Sequence, residues 1–162
     1  MSSDEQFDDV RVLDFSYQEL TELPDNVKKC KNLRMLNCDN NPITSLAGMF
    51  DNCPKLEELM CNYCKLTSCD GMLDNNHKLI HFSCIGNRLT SLDCVFDNCP
   101  KLLALWCGDN LLTSLDGIEK CPHLKELSYF TDDVDSPLVK LYGRYAKPKD
   151  IIEVHRNEYV MK

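Results

Sequence analysis

Hydrophobic positions recur along most of the chain in blocks of nearly constant length. Four consecutive segments align with one another, 31–53, 54–76, 77–99 and 100–121, the last being one residue shorter. Each block holds a leucine, a short alternation of apolar and polar positions, a turn and a second apolar run. The alternation predicts a strand of a few residues with every second side chain buried. Self-similarity at this period predicts a solenoid of stacked units.

The register of the repeat extends beyond these four blocks. The first leucine of each unit recurs at steps of 23, 23, 23 and 22 residues, at Leu33, Leu56, Leu79, Leu102 and Leu124. A flanking unit on each side keeps the frame, which gives six units, numbered here one to six. The pattern predicts a solenoid over residues 1–134, with the first unit as a cap. Residues 135–162 are predicted to form a carboxy-terminal cap or tail packed on the last unit.

The alternation of apolar and polar residues predicts which side chains face the interior of the solenoid. Inward strand positions are Leu36, Cys38, Leu59, Cys61, Phe82, Cys84, Leu105 and Cys107, and the second apolar run adds Phe50, Leu73, Phe96 and Ile118. The turn carries an asparagine at Asn41, Asn87 and Asn110, where unit three has Cys64. An asparagine amide there is expected to satisfy backbone groups of the adjacent unit that would otherwise be buried unpaired.

The unit pattern LxxLxCxxNxLTSL resembles the leucine-rich-repeat family, with cysteine where a third leucine is usual. It is most similar to the versions found in bacterial, giant-virus and protist proteins, and the resemblance covers residues 10 to about 134. The resemblance implies an α/β solenoid with a short parallel β-sheet on the concave face and short helical or irregular convex segments. It also implies a non-enzymatic role in binding other proteins, without naming a partner.

The outward strand positions predict where such a partner binds. Four of them, at the concave face toward the carboxy-terminal half, are too large and apolar for a merely solvated sheet: Met60, Ile85, Trp106 and Phe130. We expect Glu58, His81, Asp109 and Glu126 to form a polar rim around this patch. The predicted function is therefore binding of a protein or peptide. The alternative interpretation is that the carboxy-terminal segment folds back over part of the patch.

Eleven cysteines raise a second class of function. Cys61 and Cys64 have the spacing of a zinc or redox motif, with Cys69 five residues further on. The repeat gives each of the three a structural reason, so core packing is favoured over a metal or redox site. The odd number and an acidic amino terminus without a leader pattern predict an intracellular, reducing location. A structural or self-assembling subunit stays open as another hypothesis.

Composition and the lack of known motifs argue against several other classes of function. The net charge of -8 makes nucleic acid a poor partner, and no apolar stretch approaches the roughly 20 residues of a membrane helix. Catalytic and phosphate-binding motifs are missing, so neither an enzyme nor a cofactor is predicted. Glu58, His81 and Ser83 superficially resemble an acid, base and nucleophile set, but an open sheet does not exclude water.

The last 28 residues leave the repeat pattern. Ser136 followed by Pro137 predicts a helix start, with a short helix through residues 136–146. Pro148 is expected to end it. The β-branched alternation in 150–162 predicts a final strand or an extended strap.

Overall fold

Each repeat unit contributes one strand to a single sheet. The computed structural model describes residues 5–131, 133, 135–143 and 147–160. The six three-residue strands pair in parallel and in chain order: β1 Val12–Asp14, β2 Met35–Asn37, β3 Glu58–Met60, β4 His81–Ser83, β5 Ala104–Trp106 and β6 Glu126–Ser128. Strands this short are stable only because neighbouring units pack against them. The predicted α/β solenoid is confirmed.

The repeat period sets the register of the sheet. Leu36 pairs with Leu59 in the next unit, and Phe82 pairs with Leu105, one repeat length apart in each case. All four side chains are fully buried, as are the convex residues Phe50, Leu73, Phe96 and Ile118. Residues at equivalent positions therefore form continuous columns inside the solenoid, as the alternation predicted.

The turn asparagines join each unit to the one before it. The Asn87 amide nitrogen donates to the carbonyl oxygens of Cys61 and Cys84, at 2.8 and 2.9 Å, and its Oδ1 accepts the Leu66 N–H at 3.0 Å. Asn41 and Asn110 repeat this arrangement, and Asn41 Oδ1 accepts two N–H groups of unit one. Cys64, in the same slot of unit three, donates its thiol to the carbonyl of Cys38 at 3.4 Å. The predicted role of these residues is confirmed.

The convex segments vary in structure from unit to unit. Units one and five form short 3-10 helices at Asp25–Lys29 and Ile118–Lys120, units two and three form turns, and unit four forms α1 at Asp93–Asn98. A glycine of left-handed φ precedes or begins the segment in three units, at Gly48, Gly71 and Gly117. Unit four has Cys94 at this position.

Two helices follow the last strand. Helix α2 spans Pro137–Tyr142 and begins directly after Ser136, as predicted, since proline at the first helical position loses no hydrogen bond there. It ends before Gly143, whose φ is 76°, and is shorter than the helix predicted through residue 146. Residues 144–146 of that prediction lie outside the described part of the chain.

The strand or strap predicted for residues 150–162 is wrong. Residues Pro148–Val160 form helix α3, so Pro148 begins a helix in addition to separating it from α2. Ile151, Ile152 and His155 are buried, which is a helical spacing that the short run of β-branched residues conceals. Residues 161 and 162 lie outside the described chain. No helix within the described ranges is long and apolar enough to cross a bilayer.

A chain of polar contacts fixes the cap to unit five. The Tyr142 hydroxyl accepts the Leu115 N–H at 3.3 Å and lies 2.7 Å from His155 Nε2. His155 Nδ1 lies 3.6 Å from an Asp116 carboxylate oxygen. Both partners from unit five belong to the loop that leads into its convex 3-10 helix. The predicted boundary between residues 134 and 135 falls between β6 and α2.

The asparagine contacts predict a large loss of stability on substitution. Asn87→Ala removes an amide that is 7 % exposed and leaves the Cys61 carbonyl and the Leu66 N–H without their partner, whereas the Cys84 carbonyl keeps its bond from Asn110. We expect a loss of roughly 3 kcal/mol in the free energy of unfolding, measured by urea denaturation. Asn52→Ala, at an exposed convex position, is the control and should change stability by less than about 0.5 kcal/mol. Equal losses in the two variants would contradict the assigned role.

Candidate functional site

The concave face carries three columns of outward side chains: a first column (Val12, Met35, Glu58, His81, Ala104, Glu126), a middle column (Asp14, Asn37, Met60, Ser83, Trp106, Ser128) and an outer column (Ser16, Asp39, Asn62, Ile85, Gly108, Phe130). Strand pairing places Glu58 beside His81, Met60 beside Ser83, and Ser83 beside Trp106. The predicted apolar residues Met60, Ile85 and Trp106 are half-buried, and Phe130 is 44 % exposed. All four lie on the predicted face. The parallel sheet explains this, because equivalent positions in successive units fall into line.

Three of the four apolar residues surround one glycine. Gly108 lies between Ile85 and Phe130 in the outer column and two residues after Trp106. The Phe130 backbone approaches Gly108 so closely that a Cβ at this position would collide with the Phe130 carbonyl oxygen. Glycine is therefore required at this position. We call Ile85, Trp106 and Phe130 the apolar cluster.

Met60 is separated from the apolar cluster. Ser83 lies between Met60 and Trp106 in the middle column and is 6 % exposed. Two strand spacings, about 10 Å, therefore separate the Met60 and Trp106 backbones. The patch predicted from sequence is thus a three-residue cluster with Met60 at some distance from it.

The polar rim forms only in part. His81 Nδ1 lies 3.4 Å from Glu58 Oε1, and the His81 ring centroid is 6.2 Å from that of Trp106. Glu58, His81 and Trp106 are thus brought together. Glu126 pairs with Ala104 at the sheet edge and is exposed, and Asp109 is exposed at a position of positive φ beyond the outer column.

A polar network on the other half of the face is not evident from the sequence alone. Asp39 accepts the Asn62 backbone N–H at 2.6 Å and the Asn62 amide at 3.1 Å. Asn62 Oδ1 accepts the Ser83 hydroxyl at 2.6 Å and the Ile85 N–H at 2.8 Å. Asp39 and Asn62 occupy equivalent positions of successive units, which is the one signal in the repeat that points to this network.

The same network decides the role of Ser83. Its hydroxyl proton is directed to Asn62 Oδ1, so the hydroxyl does not donate to His81. A nucleophile activated by a base requires the opposite arrangement. Glu58, His81 and Ser83 therefore form a Glu58–His81 side-chain contact and a separate structural hydrogen bond from Ser83 to Asn62 rather than an acid, base and nucleophile set.

The concave face is acidic. Its three columns contain the carboxylates Asp14, Asp39, Glu58 and Glu126 and no lysine or arginine. Arg34, one position outside the columns, forms an ion pair of 2.6 Å with Glu57. The hydrogen bonds that Asp14 accepts from the Ser16 N–H and hydroxyl hold the pKa of its carboxyl below the usual range. The Asp14 carboxylate therefore stays ionised at neutral pH.

The structure does not assemble the cysteines of the alternative site. Cys61 and Cys64 are buried in the interior, whereas Cys69 forms a disulfide with Cys94 on the convex side. A hydrogen bond with the Cys64 sulfur raises the pKa of Cys38, and burial adds to the effect; the same bond lowers the pKa of Cys64. Within the described residues, no three His, Cys, Asp or Glu side chains are placed to hold a metal ion.

Other buried thiols act as hydrogen-bond donors between units. Cys61 donates to the carbonyl of Ser83 and Cys121 to that of Cys99, both at 3.4 Å. Burial raises the pKa of the Cys99, Cys107 and Cys121 thiols to about 12. These neutral thiols pack as small apolar groups, which is the structural interpretation of the cysteine column.

Sheet topology, side-chain columns and turn asparagines together define a solenoid repeat protein. A family model described as Leucine Rich repeats (2 copies) matches residues 31–75. Among solved structures, a leucine-rich-repeat protein of Leptospira interrogans matches with 28% identity and a TM-score of 0.67. The match covers 83% of this chain and 36% of that protein. These matches support the resemblance to the leucine-rich-repeat family that the unit pattern indicates.

Two internalins of Listeria monocytogenes share the fold. One matches with 19% identity and a TM-score of 0.58 over 85% of this chain, and internalin C2 with 21% identity and 0.60 over 76%. They are covered over 47% and 54% of their own lengths, so this chain spans about a third to a half of the solved structures it resembles. A search of curated proteins finds no significant match.

The buried thiols predict that stability falls at alkaline pH. The Cys107 thiol ionises near its ordinary value of 9.0 when unfolded, but its pKa rises to about 12 when folded. Its contribution is complete below pH 9 and is lost by about 1.4 kcal/mol per pH unit between the two values. The free energy of unfolding is measured by urea denaturation at about pH 8 and at about pH 10. Between these two pH values, its decrease should be about 1.4 kcal/mol smaller in Cys107→Ala than in the wild type.

Ile118→Val is the control for the loss of packing. It removes one buried methyl group and no thiol, so it should lower the free energy of unfolding by about 1 kcal/mol at both pH values. If Cys107→Ala shows the same pH dependence as Ile118→Val, the thiol is not protonated in the folded state as described.

Proposed function

We propose that this chain is a protein-binding module that captures a segment of another protein on its concave face. The single observation that supports the proposal most is the apolar cluster on an open sheet: Ile85 and Trp106 are half-buried, and Phe130 is 44 % exposed, around Gly108. Tryptophan in such a cluster is a frequent energetic centre of interfaces, because it buries a large rigid surface at low entropic cost. The family's general use of the fold for protein binding agrees with it.

Charge defines the chemistry of the partner. Carboxylates accompany the apolar cluster on the concave face, with Glu58 beside His81 and Glu126 on the last strand. A segment with lysine or arginine next to an apolar side chain complements this surface. A phosphate backbone is repelled by it, which supports a protein or peptide over nucleic acid.

The contacts of the cap also support an accessible face. The Tyr142 hydroxyl contacts the Leu115 N–H, and the His155 ring contacts the Asp116 carboxylate, in the loop that leads to the convex side of unit five. The alternative in which the carboxy-terminal segment covers the apolar cluster is therefore less well supported. Phe130 keeps nearly half of its surface exposed beside the cap.

Selection of random peptides on the immobilised protein tests the proposed site. We expect the wild type to enrich peptides that combine basic and apolar residues. Trp106→Ala should weaken the binding of the recovered peptides about thirtyfold or more, since an aromatic at the centre of an interface contributes about 2 kcal/mol. Leu141→Ala, which shortens an exposed apolar side chain on α2, is the matched control and should bind as the wild type does. Equal binding by Trp106→Ala would contradict the proposal.

Electrostatics gives a second, independent test. The double variant Glu58→Gln/Glu126→Gln should bind the same peptides about fivefold more weakly at low salt, because each exposed charge pair contributes roughly 0.5 kcal/mol. Its affinity should also depend less on salt concentration, because fewer charges are left to screen. Asp51→Asn/Asp74→Asn removes the same charge from exposed convex positions and serves as the control. Similar effects of the two double variants would point to net charge rather than to the concave face.

A further inference from the structure

Two of the eleven cysteines have no counterpart in the repeat. The other nine are free thiols at recurring interior positions or, for Cys64, in the asparagine slot. Cys69 stands where the other central units have leucine, at Leu46, Leu92 and Leu115. Cys94 stands where they have glycine, at Gly48, Gly71 and Gly117. Both departures occur once, in adjacent units, and on the same side of the solenoid.

The second departure changes the backbone. The three equivalent glycines have φ values of 65–88°, a conformation that side chains other than glycine rarely adopt. Unit four instead forms α1 from Asp93, and Cys94 lies in its first turn. The replacement of a structurally required glycine by cysteine is therefore accompanied by a different convex segment. Packing alone does not account for it, since glycine serves the other units.

Cys69 and Cys94, the two residues that depart from the repeat, lie next to each other. The Cα atoms of Cys69 and Cys94 are 6.0 Å apart, within the range of natural disulfides, and their sulfurs are bonded. Both side chains lie near the convex surface, where they are 3 % and 8 % exposed, and the chain neighbours Asp70 and Asp93 are exposed. The thiols of the interior column are shielded further, and burial raises the pKa of Cys61 and Cys84 well above the ordinary value.

We propose that Cys69 and Cys94 form a reversible thiol–disulfide site, operated by low-molecular-weight thiols and disulfides of the glutathione class, that clamps units three and four together on the convex side. The proposal is independent of the proposed function. Cys94 is the more exposed of the two, so its sulfur is the one that exchanges with the small molecule. It attacks the small disulfide during oxidation and is attacked by the small thiol during reduction. In a reducing compartment the dithiol is the resting state, and the disulfide forms in response to oxidation.

The exchange balances in both directions. In oxidation, the Cys94 thiolate attacks a sulfur of the small disulfide, forms a mixed disulfide and releases one small thiol. The Cys69 thiolate then attacks the Cys94 sulfur, closes the Cys69–Cys94 bond and releases the second small thiol. The protein loses two electrons and two protons, and the small disulfide takes them up to become two small thiols. Reduction is the reverse sequence, with two small thiols supplying the electrons.

Redox titration with glutathione tests the site. Fully reduced protein is equilibrated under argon with mixtures of reduced and oxidised glutathione, quenched with acid, denatured, alkylated and measured by mass spectrometry. We expect oxidation to consume two of the eleven thiols, with the remaining nine alkylated. Peptide mapping should locate the bond between Cys69 and Cys94. Return to reduced glutathione should restore both thiols while circular dichroism shows an unchanged fold.

The repeat itself supplies the control variants. Cys69→Leu and Cys94→Gly introduce the residues that other units carry at these positions, so each should fold and neither should form the bond. Cys64→Asn, by the same reasoning, should fold and still lose two thiols. Hydrogen exchange in α1 should slow severalfold on oxidation of the wild type and of Cys64→Asn alone. Exchange in residues 47–52, the equivalent segment of unit two, should not change.

Three results would overturn the assignment. The first is a wild type that keeps all eleven thiols in every mixture while remaining folded. The second is a bond between other cysteines, shown by mapping or by its persistence in Cys69→Leu. The third is a Cys69–Cys94 bond that reduced glutathione breaks only when the chain unfolds, which would make it a fixed cross-link.

Discussion

Stacking short units buries backbone at every turn, and the amides of Asn41, Asn87 and Asn110 make that burial possible. Each amide donates to carbonyls of two adjacent units and accepts an N–H of the preceding unit. A buried turn without these partners would lose the free energy that packing gains. Because the asparagine fixes the turn relative to the unit before it, it also fixes the strand register. Every column of the solenoid, inside and outside, depends on this contact.

That constraint limits where the chain can vary. The interior columns hold apolar residues, mostly leucine, phenylalanine and cysteine, and the turn holds asparagine or Cys64. The outward strand positions have no such requirement, and they carry both the polar network of Asp39 and Asn62 and the apolar cluster around Gly108. The two halves of the concave face therefore differ in chemistry although their backbones are equivalent. A scaffold of this kind separates the residues that maintain the fold from those that contact a partner.

The sequence predicted the features that depend on the repeat period and missed those that depend on single contacts. Leu36 and Asn87 could be placed because equivalent residues recur in other units. The Cys69–Cys94 bond could not, since neither residue follows the repeat and their proximity arises from convex geometry. Helix α3 was mistaken for a strand because burial of Ile151, Ile152 and His155 depends on the surface of unit five, which the repeat pattern does not describe.

Cys64 has a consequence for the cooperativity of the whole array. A thiol has one weak donor and no amide oxygen, so the turn contact between units two and three is weaker than the contacts that Asn41 and Asn87 make. In a linear array, stability is a sum of unit terms and nearest-neighbour coupling terms, and the weakest coupling divides the cooperative unit. Units two and three are nevertheless held in one cooperative block by the Asn76 amide, which donates to the carbonyls of Phe50 and Cys53, and by the bonds from Asn62 to Asp39. Loss of these contacts would let units one and two unfold from the amino end while the half that carries the apolar cluster stays folded.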